Sequence, residues 1–477
     1  MKIFFNSVKT LYANDNCCIK VGDKITESFL ANQGVKQGCI LSPLLFNIFL
    51  SDIVDQFKDK NCRPLKIDDS NDLSCLIWAD DIVLTSQSEE GLRNMLSLLE
   101  QYVEKNRMSI NTKKTKCMIF NKNGKFIRRS YALSGKTVET TNSYKYLGLL
   151  FTPSGEIRSA LTDLRDRAMR ALQILKNKMG NFFRLHPSTT ISLFDSLVKP
   201  ILLYSSDFWG CLKLPENNPI ENMYVKFCKM LLGVQKQTCN TGVYLELGTF
   251  PIMLYGVKNC IKNWFRIHKK ENANYLLLKT HKMAIQHNLP WTLLTKESLR
   301  KIGIGIERCK DDIFIKAFNR MKDMFHQESF CEITSQNSKL RTYGKLKTEP
   351  GRETYLDGIK NISERTALTK LRLSNHDLLI EKGRHQGLSK HDRLCPFCEN
   401  SIETEEHFLI KCQTFSPLRK ELYNKIKHEL PFFTRVNENQ KFVVLTSEPS
   451  AAHITANYLQ NAFEIRRFLL AKHKPND

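Results

Sequence analysis

The sequence predicts an α+β fold, with a mixed helix-and-strand layer first and a long, mostly helical region after it. Three observations predict this. Short β-branched and aromatic runs separated by polar turns fill much of the first 151 residues. From Gly155 onward the apolar residues recur at helical spacing instead. Towards the C-terminal end, Cys395-Pro396-Phe397-Cys398 followed by His407 and Cys412 marks a small module with its own chemistry.

Within the first layer, Met1 to Leu30 reads as a short helix followed by strand segments, with Val21-Gly22-Asp23-Lys24 as a turn. The segment Gln33-Gly34-Val35-Lys36-Gln37-Gly38-Cys39-Ile40-Leu41-Ser42-Pro43-Leu44-Leu45-Phe46-Asn47 comes next. Its glycines permit close backbone approach and unusual φ angles, and Ser42 is placed to cap a helix that starts at Pro43. That helix is expected to run through Phe46, Phe49, Leu50, Ile53 and Phe57. A hairpin over 76–84 follows, then an amphipathic helix over 89–106 whose buried stripe is Leu92, Met95, Leu96, Leu99 and Val103. Met108-Ser109-Ile110-Asn111 leads through Lys113-Lys114-Thr115-Lys116 into a strand at Cys117-Met118-Ile119-Phe120, and a second hairpin-like region ends at Tyr144–Phe151. Helices on one face of a sheet account for this order.

Beyond it, the spacing predicts helices over 160–179, 188–205 and 220–233, the last carrying Lys226 and Lys229 where they can face phosphate or solvent. Residues 269–347 are polar, basic and weakly periodic, as in a linker or loosely packed region. The domain boundaries expected are 1–154, 155–268, 269–370, 371–425 and 426–477.

Composition bounds the function. The chain is 42% hydrophobic and 25% charged, as in a globular protein, and its net charge of +23 calls for a polyanionic partner, of which nucleic acid is the commonest. Fifteen cysteines without a regular framework suggest a reducing compartment. The apolar run at Met1–Asn6 is too short for a signal peptide, and no stretch approaches the ~20 apolar residues of a membrane span. An intracellular, soluble protein with no membrane partner is expected.

Two groups of residues carry chemistry. In Leu76-Ile77-Trp78-Ala79-Asp80-Asp81-Ile82-Val83-Leu84 a bare Asp pair stands at the tip of what reads as a buried hairpin. Asp-Asp is a poor hairpin turn, and two adjacent anions repel, so a hard divalent cation is the simplest partner. The other Asp pairs differ: Asp68-Asp69 lies in a polar loop, and Asp311-Asp312 precedes an apolar run as helix N-terminal charge. The second group has the spacing C-x2-C-x8-H-x4-C, from Cys395, Cys398, His407 and Cys412, which suits a closed structural Zn²⁺ site. His385 and His391 are close enough in sequence to substitute for His407.

With these motifs in hand, the sequence resembles the reverse transcriptases of non-LTR (LINE-type) retrotransposons. Gly34–Asn47 is similar to the family's template- and nucleotide-contacting motif B, and Trp78-Ala79-Asp80-Asp81 to its catalytic motif C. Ser109–Thr115 resembles motif D, and Tyr146-Leu147-Gly148 the primer grip. Tyr204–Gly210 and Leu245-Glu246-Leu247-Gly248 resemble thumb segments, while Leu371–His376 and the Cys/His cluster fit the C-terminal zinc-knuckle-like part.

The resemblance implies a partial right-hand polymerase palm (1–154), a helical thumb (155–268), a basic linker or helical region, a zinc-knuckle-like module and a C-terminal helical tail. It implies RNA-directed DNA polymerisation by two Mg²⁺ ions, with an RNA template, a DNA primer or target, and dNTPs. Asp80 and Asp81 would ligate Mg²⁺, Gln37 and Gly38 would lie against the incoming base pair, Lys113 or Lys114 would face the triphosphate, and Tyr146, Leu147 and Gly148 would hold the primer. The family's motif A Asp, fingers and endonuclease find no counterpart; Asp15 and Asp23 stand in polar turns. The expectation is therefore an N-terminally truncated element, nuclear or ribonucleoprotein-associated, that does not catalyse. The alternative is a non-catalytic nucleic-acid-binding remnant that uses the basic thumb and zinc module.

Overall fold

The computed structural model describes residues 2–13, 16–31, 34–180, 182–214, 217–269, 276–305, 313–335 and 338–472. The chain divides into two compact units, one of residues 1–144 with 152–154, the other of residues 145–151 with 155–477.

In the first unit, helix Lys2–Tyr12 is followed by the strand pairs Asn16–Cys17 with Phe29–Leu30 and Lys20–Val21 with Lys24–Ile25, the latter closing on the expected Gly22-Asp23 turn. Helix Glu89–Lys105 organises the core. Ser88 caps it by accepting the Gly91 N–H at 3.0 Å. Its Met95, Leu99, Tyr102 and Val103 bury against Leu50, Ile53, Phe57 and Cys62.

Three local expectations are corrected here. Among the described residues the strands form two-stranded antiparallel ribbons, not one broad sheet with helices on a face. Most of these strands, of two to four residues, pair with the next strand in sequence across a short connection, Asn16–Cys17 pairs with Phe29–Leu30 around the inner hairpin, and among the described residues no ladder joins three strands. Cys117–Phe120 is not a strand; Cys117 makes a single bridge to Thr140. The helix after Pro43 breaks into Ser42–Phe49 and Ile53–Gln56, and Ser42 does not cap it. The Ser42 hydroxyl instead donates to the Lys36 carbonyl at 2.6 Å and pairs with the Tyr12 hydroxyl at 2.8 Å.

The second unit is helical, with one large core and a smaller one around Trp264. Helix Ile157–Met179 packs on helices Lys199–Leu202 and Pro219–Leu232, and Phe194 stacks on Phe227 with ring centres 3.9 Å apart. The predicted helix over 188–205 is interrupted, giving Pro187–Leu197 and then Lys199–Leu202, because Pro200 has no N–H to continue the first helix's ladder. Residues 269–347 hold real helices, Leu276–Gln286, Pro290–Lys301 and Ile313–Thr334, where weak periodicity suggested a linker. Leu299, Ala317 and Met321 from these helices gather with Trp264 and Phe265 in a second cluster, while Phe325, Phe330 and Ile333 join the main core. At the C-terminal end, helix Pro449–Lys472 packs on Ile362–Arg372 and Ser416–Glu429, so these residues complete the core.

Gly210 shows how tightly that unit is built. A Cβ there would overlap the backbone carbonyl of Gly256 in helix Ile252–His268, so the short helix Ser206–Trp209 approaches its neighbour only through a bare backbone.

Candidate functional site

The acidic hairpin is formed by strands Cys75–Trp78 and Asp81–Leu84, in the register Cys75–Leu84, Leu76–Val83, Ile77–Ile82 and Trp78–Asp81. Ala79 and Asp80 make the turn, with Ala79 in the left-handed region at φ 52°. Alternation sends Cys75, Ile77, Ile82 and Leu84 to the core, and Leu76, Val83 and Trp78 to the other face. The expectation of a buried hairpin is corrected: on that second face Leu76 is exposed and Trp78 is 65% exposed.

Asp80 and Asp81 are exposed at the tip. They offer hard oxygen donors of the kind Mg²⁺ takes. Among the described residues no third His, Cys or carboxylate joins them. Asp23 occupies the exposed turn at Gly22-Asp23, and Asp15 lies outside the described residues, as do Gln33 of the Gly-rich segment and the Asp311-Asp312 pair. Two adjacent carboxylates, one on the turn and one opening the strand after it, are a partial fit to a two-metal centre.

Gln37 and Gly38 form an exposed turn closed by the Cys39 N–H donating to the Lys36 carbonyl at 3.2 Å. Gly38 has φ 84° with open space where a Cβ would stand, so this is backbone that a ligand can approach. Lys113 and Lys114 are exposed in a turn held by Asn111, whose side-chain oxygen accepts the Lys114 N–H at 3.2 Å.

Tyr146, Leu147 and Gly148 group with the second unit. Leu147 and Gly148 make the turn with φ 45° and 79°. Arg167 donates to the Gly148 carbonyl at 2.6 Å, and the Tyr204 hydroxyl donates to that of Leu147. The turn is thus braced by Tyr204, the first residue of the thumb-like segment Tyr204–Gly210.

The Cys/His residues come together completely. One ligand atom from each of Cys395, Cys398, His407 and Cys412 lies within 4.8 Å of all the others. The Cys395 and Cys412 Sγ atoms are 3.8 Å apart, and Cys398 Sγ is 3.4 Å from His407 Nε2. Tetrahedral bonds of about 2.3 Å to sulfur and 2.0–2.1 Å to nitrogen require roughly 3.8 Å and 3.5 Å, so the donor set fits Zn²⁺. His385 and His391 are not among these ligands.

The site's local fold explains the spacing. Cys395 N–H donates to the Ser401 carbonyl and Glu403 N–H to that of Arg393, which closes a knuckle around Cys395 and Cys398. His407 to Lys411 then form a wide π-type turn in which the Cys412 N–H donates to the His407 carbonyl at 2.8 Å. Burial pushes the Cys395 thiol up to about 12 and the His407 imidazole down, and the neutral imidazole is the form that ligates.

Sequence reasoning missed what holds this loop. Glu403 is gripped by Arg466 through two 2.7 Å contacts. Glu405 accepts from Arg341, Thr342, Ser374 and His376, each at 3.0 Å at its nearest oxygen. Burial works to raise its carboxyl, but His376 and Arg341 outweigh that and hold it down to about 2. Buried Lys229 likewise donates to the Lys236 carbonyl at 2.7 Å and does not face phosphate, whereas Lys226 is exposed.

Residues 3–151, which contain the Gly-rich turn and the acidic hairpin, match the family model "Reverse transcriptase (RNA-dependent DNA polymerase)". This segment is a reverse transcriptase sequence. The chain is similar to the Pol polyprotein of type-1 retrotransposable element R2 from Popillia japonica, 28% identical over 38% of this chain and 31% of that protein. It is also similar to the RNA-directed DNA polymerase of mobile element jockey from Drosophila melanogaster, 22% identical over 42% of this chain and 22% of the relative. A probable RNA-directed DNA polymerase of the transposon X-element aligns over 63% of this chain, 33% of its own length, at 18% identity. The chain therefore matches a third or less of each of these relatives. Among the described residues, no helix is long and apolar enough to cross a membrane.

Proposed function

We propose that the chain is a nucleic-acid-binding part of a non-LTR-type reverse transcriptase and that, as it stands, it does not add nucleotides. The first half of this reading is supported by the Gly-rich turn and the Asp80-Asp81 hairpin falling in order within the family segment, together with the net charge of +23. RNA template, DNA primer or target, and dNTPs are the partners that follow. Gln37 and Gly38 present accessible backbone to a base pair, and Lys113 or Lys114 offers positive charge to a triphosphate. Tyr146, Leu147 and Gly148, on a turn stiffened by Arg167 and Tyr204, position a primer strand against the helical thumb. Cys395, Cys398, His407 and Cys412 hold a structural Zn²⁺.

The single observation behind the second half is the incomplete donor set. When bound, a pair of Mg²⁺ ions supplies activation of the primer 3′ oxygen and neutralises the leaving pyrophosphate. Asp80 and Asp81 alone leave such a pair under-ligated, and no third ligand joins them among the described residues. Primer extension on an RNA template with Mg²⁺ tests this. The purified chain should give no more product than its Asp80→Ala variant; robust incorporation that disappears in Asp80→Ala overturns the reading.

A further inference from the structure

The second unit carries a ladder of lysines and aromatic rings that neither the acidic hairpin nor the Cys/His cluster uses. It is built on two helices that pack together, Ile252–His268 and Ile313–Thr334. Tyr255, Lys258 and Lys262 recur three and four residues apart on the first, and Phe314, Phe318 and Lys322 four apart on the second, so each set shares a face.

Where the faces meet, Phe318 stands between two ammonium groups, with Lys258 Nζ 4.4 Å and Lys322 Nζ 4.5 Å from its ring centre. Lys322 is also 5.6 Å from the Phe250 ring, Lys262 is 6.0 Å from Phe314, and Lys199 is 3.5 Å from Tyr255.

Counter-charge is scarce among the described residues. Lys199 has Asp195 at 3.4 Å, but among the described residues no carboxylate lies within ion-pair distance of Lys258, Lys262 or Lys322. Burial first, and then the charges of Lys322, Lys262 and Lys199, disfavour the ammonium form of Lys258. Like charges gathered on one surface without an acid to balance them raise the energy of the free protein, and a polyanion relieves it. The rings fix the lysine stems, so less side-chain entropy is lost when a ligand binds than on an ordinary lysine surface.

We propose that this ladder is a contact surface for the phosphate backbone of a nucleic-acid strand. The inference rests on the reading of the chain as a nucleic-acid-binding protein and names where a strand lies. Contacts of this kind are independent of sequence, because phosphates carry no base information.

The test uses the full chain and a fluorescent oligothymidylate, with anisotropy followed across a salt series. Each lysine lost from a single-strand contact should flatten the slope of log K against log salt by about 0.7, so Lys258→Gln/Lys322→Gln should flatten it by about 1.4 and weaken binding about 25-fold near 0.1 M salt. Lys258→Arg/Lys322→Arg should keep the wild-type slope. The same charge is removed in Lys420→Gln/Lys425→Gln, from exposed positions on helix Ser416–Glu429, and that variant should bind within about threefold of wild type.

If the ladder variant binds no worse than the Lys420/Lys425 variant, the surface is wrong while the broader reading stands. If the unaltered chain fails to bind at low salt, the broader reading falls with it. Loss of binding to phosphatidylserine vesicles with oligothymidylate binding unchanged would also overturn the proposal. Matching thermal transitions in the Gln and Arg variants separate loss of charge from loss of fold.

Discussion

Glu246→Gln should destabilise the second unit by about 3 kcal/mol. Glu246 and Arg372 are both completely buried, with Arg372 Nε 2.7 Å from Glu246 Oε1. Arg372 also reaches Glu246 Oε2 at 3.3 Å and Glu353 at 2.6 Å, and the Tyr355 hydroxyl donates to Glu246 at 2.6 Å. Glutamine keeps the volume but sets an amide donor against guanidinium and phenol donors, and it leaves a desolvated cation half-compensated. Breaking a buried pair from one side costs about 3–5 kcal/mol, and the surviving Glu353 contact puts this case at the low end, about 150-fold in the unfolding equilibrium. Urea unfolding followed by the fluorescence of buried Trp209 and Trp264 measures it. Arg372→Met alone should cost at least as much, whereas the double variant Glu246→Leu/Arg372→Met should cost less than the sum, because no charge is then stranded. A Glu246→Gln chain within about 0.5 kcal/mol of wild type, or strictly additive single changes, would refute this account of the network.

Three further outcomes follow from the geometry. The purified chain should bind one equivalent of Zn²⁺; Cys412→Ser should lose it, and chelation should lower the thermal midpoint of the second unit, by an amount equivalent to about 4 kcal/mol at free zinc 1,000-fold above Kd. His281 is buried with neither ring nitrogen hydrogen-bonded, and burial, then His268 and Lys296, depress it to about 4. Its folded value lies below the unfolded one of about 6.5, so the unfolded chain binds more protons between them; stability is full above that range and falls as pH drops towards 4, by up to about 3 kcal/mol. Denaturant midpoints between pH 7 and 4 should show this component disappearing in His281→Leu. Gly210→Ala should cost about 2 kcal/mol or more, since its methyl meets a backbone carbonyl that no rotamer change can move; an unchanged urea midpoint would count against that packing.

The features legible in the sequence were those whose partners lie nearby along the chain. The Asp80-Asp81 hairpin, the Met95, Leu99 and Val103 part of the stripe of helix Glu89–Lys105 and the helix ending at Gly233 follow from periodicity, although the hairpin turn falls on Ala79-Asp80 and Leu92 and Leu96 are only half-buried. The Cys/His cluster was legible as well, because a knuckle and a wide turn bring four ligands together within 18 residues, counted from Cys395 to Cys412. Exposure was not legible: Trp78 looks like a core residue by type, yet its side of the ribbon is left exposed.

By itself, then, the sequence determined the local chemistry of this protein: which carboxylates stand at a hairpin tip, which thiols and imidazole can share an ion, and which segment belongs to the reverse transcriptase family. Tertiary structure alone decided what those pieces are fastened to. Glu246 and Arg372 are 126 positions apart, as are their motifs, and nothing in either neighbourhood announces the other. The lysines around Phe318 come from separate helices and become one charged surface only when those helices pack. A buried charge or a crowded cation depends on groups distant in sequence, since burial and Coulomb interaction act through space and not along the chain.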